Sequence, residues 1–494
     1  MDAAKKICTC IAIVSICPCS LSAQLESRPN IVLTGVLTHT DNHTYREVPF
    51  TVPSGITRLT IEFSYTARDE RTTIDLGLFD GERFRGWSGG NKATFTISES
   101  DATPSYLPGP VRPGTWKLVL GVPNIREGVH SEFQAHIYFS RADSPLPASP
   151  FSAKPVNTTR GWYRGDLHMH TGHSDGSCKS QSGAQVPCPV FKTAEAAVSR
   201  GLDFIAITDH NTTSQYDAER ELQPYFDRLL LLAGREITTF EGHANVFGPT
   251  QFIDFRVGSA RVPNTKALLQ AVHDLHGLIS INHPADPSGE ACMGCGWTAQ
   301  DTDFARIDAI EAVNGGDTDT RISGIPFWEE KLNQGFRLTA VGGSDNHHAD
   351  VENTPSSIGH PTTVIHAEEL SQTAILEGIG SGRVFIDVDG SRDRILDFWA
   401  ARGSSNVYMG ENFNVAQGST IRFSVHVTHA IGARVEVIED SHRIDLLADS
   451  ALKQDEETKT FDWHGDGSRH WFRVNVRSVE GRLLLVGNPV YVNY

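Results

Sequence analysis

The chain has 494 residues, too many for one ordinary domain, and leaves room for a sizeable core in two or three. Its formal net charge of -17 excludes a protein that wraps nucleic acid or lies on anionic lipid, since both require basic patches. Small or weakly charged substrates fit that balance better.

Residues 1–23 read as a signal peptide: Lys5 and Lys6 precede an apolar run from Ile7, and "SLSA" closes it with small residues at Ala23. The run is too short to span a bilayer, and no membrane anchor is expected elsewhere. The mature protein is therefore predicted to be periplasmic or secreted. Cys8, Cys10, Cys17 and Cys19 would leave with the signal, and Cys178, Cys188, Cys292 and Cys295 would remain. Sequence cannot choose among their pairings, although an oxidising compartment favours the local ones, Cys178 with Cys188 and Cys292 with Cys295. "CMGC" also suits a redox or zinc site, but one CxxC alone reads first as a loop staple.

Residues 24–142 alternate apolar and polar side chains between turn signals. Leu59, Ile61, Phe63 and Tyr65 share one face, as do Trp116, Leu118, Leu120 and Val122, and again Phe133, Ala135, Ile137 and Phe139. Period two predicts half-buried antiparallel strands and a β-sandwich. Residues 143–159, with Pro145, Pro147, Pro150 and Pro155, read as a linker.

Residues 160–398 change to a cassette of helix, glycine, apolar strand, then acid or histidine. "TAEAAVSRG" leads to "LDFIAIT" and Asp209–His210, "NTKALLQAVHDLHG" to "LISIN" and His283, and "FWEEKLNQG" to "RLTAVGGS" and Asp345. Gly201, Gly277 and Gly335 fall where helix C-caps belong. Such alternation predicts a parallel sheet closed into an α/β barrel with its site at the strand C-terminal ends. Residues 399–494 return to strand patterning in "STIRFSVHV", "RVEVIED" and "WFRVNVRSV", predicting a second β-sandwich.

The chemistry concentrates in the middle segment. His168 and His170, two apart on a strand, project from one face and can close on one ion. Asp175 follows on the next loop, and the later strand ends add His210, Glu236, His243, His283, Asp345 and His347. Repeated oxygen and nitrogen ligands at successive strand ends point to a metal centre. Mixed imidazole and carboxylate shells suit Zn, Mn or Fe.

The ordered motifs, HxH with a later Asp, "TDH", Glu then His, a lone His after a strand, and DxH, resemble the PHP (polymerase and histidinol phosphatase) metallohydrolase superfamily. The leader, the flanking β segments and "GREITTFEGHANVFG" resemble its carbaryl-hydrolase (CehA/McbA) branch. The resemblance implies a distorted (βα)7 barrel with two or three divalent metal ions. One would be held by His168, His170, Glu236 and Asp345, a second by the bridging Glu236 with His243 and His283, and a third by Asp175, His210 and His347. The nucleophile would be a metal-bridging hydroxide, so no Ser or Cys nucleophile is required.

Glu236, Asp345, Arg235 and His348 are the catalytic candidates. Arg235 beside Glu236 either clamps a phosphate or turns away to a surface salt bridge. His348 and His173 either protonate a leaving group or face solvent, and Asp209 either orients a ligand histidine or caps its loop. The expected function is an exported metal-dependent hydrolase of small phosphoesters. The alternatives are a carbamate or carboxylic ester hydrolase on the same centre, and a non-enzymatic carbohydrate- or surface-binding protein using the β-sandwiches.

Overall fold

A computed structural model describes residues 28–142, 150–152, 154–290, 292–403 and 405–494. The proposed signal peptide, its four cysteines and residues 143–149 and 153 of the proline-rich linker lie outside the described residues.

The first segment forms two four-stranded antiparallel sheets. One runs Ile31–Thr38, His130–Arg141, Ile56–Tyr65, Thr94–Ser98, and the other Thr44–Val52, Gly114–Asn124, Thr73–Phe79, Phe84–Gly89. The alternating faces meet as predicted: Leu59, Ile61, Trp116, Leu118, Leu120, Ala135 and Ile137 are all buried in one core. Asp101 ties this sandwich to the next segment. Its buried carboxylate accepts from Arg58 at 3.1 Å and from Arg220, and neighbouring Ala102 N–H donates to Asp217 at 2.9 Å. Burial opposes the charge on Asp101, but Arg58 and Arg220 outweigh it and hold its carboxyl below the usual range. Asp101→Ala would strand two guanidinium groups in the interface, and is expected to cost about 3–5 kcal/mol of stability, read as a lower denaturant midpoint.

The central segment is built on β1 (Gly161–Asp166), β2 (Phe204–Ile207), β3 (Leu230–Thr238), β4 (His243–Phe247), β5 (Leu278–Ile281), β6 (Ala309–Asn314), β7 (Thr339–Gly343), β8 (Thr362–Ala367) and β9 (Val384–Asp387). Their order is β7-β6-β5-β4-β3-β2-β1-β8-β9. Helices α1 (Val190–Arg200), α2 (Gln215–Leu222), α3 (Thr265–His273), α4 (Ile325–Asn333) and α5 (Gln372–Ser381) lie between strands. In α1 the apolar residues Val190, Ala194 and Ala197 are buried at helical spacing, and Gly201 ends it with a left-handed φ of 78°. Asn264 caps α3 by accepting from Ala267 N–H.

The distorted (βα)7 barrel of the sequence reading is not shown by these strands, which form a mixed sheet with few helices. β1, β2 and β3 pair in parallel, as do β5, β6 and β7, but β4 is antiparallel to both its neighbours and β8 to both of its own. The reason lies in the connections. "TFEG" between β3 and β4 is too short for a crossover helix, so β4 must return as a hairpin. A 3-10 turn, Phe304–Arg306, stands between β5 and β6 in place of a helix. The edge strand β7 still curls back to approach β1, which lies inside the sheet. Past β1 and β7, Asp345 N–H donates to His168 O at 2.8 Å and His170 N–H to Asn346 O at 2.9 Å.

The C-terminal strands continue this sheet. Leu483–Gly487 pairs antiparallel with β9, and a four-stranded sheet of Ser405–Tyr408, Leu396–Arg402, Thr420–Thr428 and Glu456–His464 forms a further layer. Their common core includes Val364 and Phe385 of β8 and β9 beside Phe398, Phe423, Phe461 and Phe472.

Candidate metal centre

The strand ends converge on one carboxylate. Glu236, near the end of β3, is fully buried and fixed by Asn282 Nδ2, which donates to Oε1 at 2.9 Å. Oε1 also lies 3.2 Å from His243 Nδ1 and 3.4 Å from His283 Nε2. Oε2 lies 3.5 Å from His168 Nε2 and 3.6 Å from His170 Nε2. Asp345 Oδ1 closes that second group, 3.3 Å from His168 Nε2 and 3.1 Å from His170 Nε2. A third group stands at the rim, where Asp175 is 3.4 Å from His347 Nε2 and 3.7 Å from His210 Nε2. All nine residues taken as ligands from the sequence thus lie in one contiguous cluster.

The opposite ring nitrogens are anchored. His168 Nδ1 meets Glu311 Oε1 at 2.9 Å, His283 Nδ1 meets Cys295 O at 3.1 Å, and His243 Nε2 meets Met293 O at 3.3 Å. His347 Nδ1 meets Asp345 O at 2.9 Å and His210 Nδ1 meets Thr238 Oγ1 at 2.7 Å. The contacts to the Glu311 carboxylate and the three carbonyls require the ring nitrogen to donate, which fixes a tautomer that leaves the inward nitrogen free to ligate, while the Thr238 hydroxyl orients the His210 ring. Two of the residues, His283 and Asp345, hold left-handed backbone, φ 26° and 50°, a conformation kept at non-glycine positions only where surroundings impose it.

Charge in the cluster is balanced locally. Burial disfavours ionised Glu236 and Asp345, but His168 and its neighbouring imidazoles overcome this and hold both carboxyls well below their ordinary range. Conversely, burial disfavours protonated His168, yet Asp345, Glu311 and Glu236 raise it well above the usual value. His283 rises to about 9 against burial, through Glu236.

Two catalytic candidates are corrected. Arg235 does not face the cluster. Successive strand residues point to opposite faces, so the inward Glu236 turns Arg235 outward. There it is buried, donates to Gln251 O at 2.8 Å and lies near the Tyr216 ring, which matches neither a phosphate clamp nor a surface salt bridge. His348 is exposed, with Nδ1 2.7 Å from Ser177 Oγ on the short strand Ser177–Lys179, rather than among the converging nitrogens. His173 is likewise exposed and sits on Ser214 Oγ at 2.8 Å. Asp209 holds the loop after β1, accepting from Thr171 N–H, Thr171 Oγ1 and Ser174 Oγ, and makes no direct hydrogen bond to a ligand histidine.

Sequence reasoning passed over Glu311, Asn282 and Asp166. Glu311 also accepts from His283 N–H and Asn314 Nδ2, so it organises two ligand positions. The signal was a lone carboxylate inside the apolar strand "AIEAVN", which burial permits only with partners. Asp166 accepts backbone N–H groups of His168, Ser344 and Gly359, pinning the ends of β1 and β7 together, and burial pushes its carboxyl up to about 6.

Cys178 pairs with Cys188 and Cys292 with Cys295. The sulfur of Cys295, although close to His243 and His283, is thereby engaged and is no thiolate ligand.

No protein-family model matches the chain, and no curated protein matches it. Among solved structures it is similar to a two-domain protein from Bacteroides vulgatus containing a predicted PHP-like metal-dependent phosphoesterase. Identity is 19%, covering 67% of this chain and 95% of that one, with a TM-score of 0.37. A protein from Bifidobacterium adolescentis described as a metal-dependent phosphoesterase is 17% identical over 44% of this chain and 94% of its own, with a TM-score of 0.28. Similarity this low supports no argument about activity, and the functional reading rests on the site itself.

Proposed function

We propose that the chain is an exported, metal-dependent hydrolase with a centre for two or three divalent ions, acting on phosphoesters. The observation that carries this reading is the set of converging donor atoms. Atoms bound about 2.0–2.2 Å from a common ion stand roughly 3 to 3.6 Å apart at octahedral to tetrahedral angles, and the groups around both Glu236 oxygens have that spacing. The donors also fit a cation chemically. His168 Nε2 is buried without a hydrogen-bond partner, and Glu236 Oε2, although 2.8 Å from His210 Nδ1, lacks hydrogen-bond geometry to it. His168, His170, Glu236 and Asp345 would hold one ion, Glu236, His243 and His283 a second, and Asp175, His210 and His347 a third. Zn, Mn or Fe would suit this donor set.

When bound, paired ions supply a Lewis acid for the scissile group and acidify a water. The chain's own part is orientation: Glu311, Thr238 and the carbonyls of Met293, Cys295 and Asp345 set the imidazoles, and Asn282 sets the shared carboxylate. Two cystines fit the oxidising compartment that export implies. Among the described residues no helix is long and apolar enough to cross a membrane.

A second reading, hydrolysis of uncharged carboxylic or carbamic esters, gains from the outward turn of Arg235, which removes the expected phosphate clamp. Metal analysis of the purified chain and assays with 4-nitrophenyl phosphate, bis(4-nitrophenyl) phosphate and 4-nitrophenyl acetate separate the two. At least two ions per chain and a chelator-sensitive phosphoesterase activity are expected. Faster acetate turnover would transfer the function to the second reading, and a protein binding no metal would overturn both. Arg235→Ala should change the rates on all three substrates by a common factor, because the guanidinium is remote from the reacting bond.

A further inference from the structure

A cavity of about 530 Å³ opens beside the centre. It is lined by Asn211 and Thr238, which touch the cluster, since Asn211 follows His210 and Thr238 Oγ1 holds the His210 ring. Its other walls include Phe240, Phe255, Val257 and Met293. Two of these are large apolar side chains left to solvent, Phe240 at 83% exposure and Met293 at 59%. Solvated apolar groups at the mouth of a small-molecule-sized cavity mark a place where something apolar is held. Met293 also links cavity and centre directly, because its carbonyl meets His243 Nε2.

The charges point the same way. Arg256, on the wall, is already paired with Asp254 at 2.7 Å, and the remaining charged wall residues, Glu241 and Asp301, are acids. An anionic group gains nothing there. We infer that this cavity takes an uncharged, apolar organic group of the substrate, with Phe240 and Met293 as its specificity-determining residues. The inference rests on the hydrolase reading for the identity of the bond broken, and on the cavity alone for what is bound.

The test uses the full-length, metal-loaded chain and calorimetric titration with phenol, 4-ethylphenol and 4-butylphenol. Burying each added methylene is expected to tighten binding about fourfold. In the Phe240→Ala/Met293→Ala double variant that gradient should fall below about twofold. Both side chains are exposed, so the fold should survive, and circular dichroism checks it. Esters of the same three phenols should show the same gradient in kcat/KM, with the methyl-free phenyl ester least affected by the double substitution. A flat gradient in the parent, or one unchanged in the double variant, overturns the assignment. A gradient that persists in a chain hydrolysing none of the esters upholds the cavity and removes the hydrolase reading.

Discussion

Glu236→Ala is expected to abolish hydrolysis and to deplete two ions at once. The carboxylate is fully buried, and its two oxygens face different groups, Oε1 toward His243 and His283, Oε2 toward His168 and His170. Glu311 also touches both groups, but through the outer Nδ1 of His168 and the backbone N–H of His283 rather than through inward ring nitrogens. Lewis-acid stabilisation of several kcal/mol would go with the ions, and each 1.4 kcal/mol is about tenfold, so the rate should fall by roughly a thousandfold or more. Elemental analysis reads the metal loss directly. Asp345→Ala is the informative companion, because Asp345 Oδ1 lies against His168 and His170, with His347 Nδ1 next at 3.7 Å. It should empty one site and spare the His243–His283 group. Full metal content in Glu236→Ala would remove the shared-ligand assignment.

The centre was legible because its chemistry is written in short local patterns. His168 and His170 are two apart, and His210, His283 and Asp345 each end an apolar strand, so period and position alone place them at one end of a sheet. What orients them was not legible. Met293 and Cys295 act through backbone carbonyls, which carry no residue identity, and Glu311 reaches His168 across 143 positions of sequence. Arg235 was misread for a physical reason that sequence does contain: two adjacent strand residues cannot both face the same site. The sandwich over residues 28–142 followed from period-two patterning. The central sheet did not, because strand direction depends on connections. The short β3–β4 turn forces a hairpin that a count of apolar strands does not reveal, and the pairing of Leu483–Gly487 with β9 joins segments almost a hundred residues apart.

Glu311 supplies the sharpest test of that unseen layer. It is 2% exposed on β6, far from solvent, and holds two ligand positions at once, His168 through Nδ1 at 2.9 Å and His283 through its backbone N–H at 2.9 Å. Loss of such an outer partner typically costs ten- to a hundredfold in metal affinity or activity. Glu311→Ala should therefore bind metal about 10 to 100 times more weakly. Its rate at ordinary metal concentration should fall correspondingly, without loss of any ligand atom. Added metal separates this from the Glu236 effect. Raising the metal concentration should restore much of the Glu311→Ala rate and none of the Glu236→Ala rate, since the first variant keeps every donor and the second has lost the shared one. Glu311→Gln, whose amide oxygen can still accept one of the two hydrogen bonds, should fall between Glu311→Ala and the parent. Metal titration curves for Glu311→Ala that superimpose on the parent's would show that His168 and His283 hold their orientation without it.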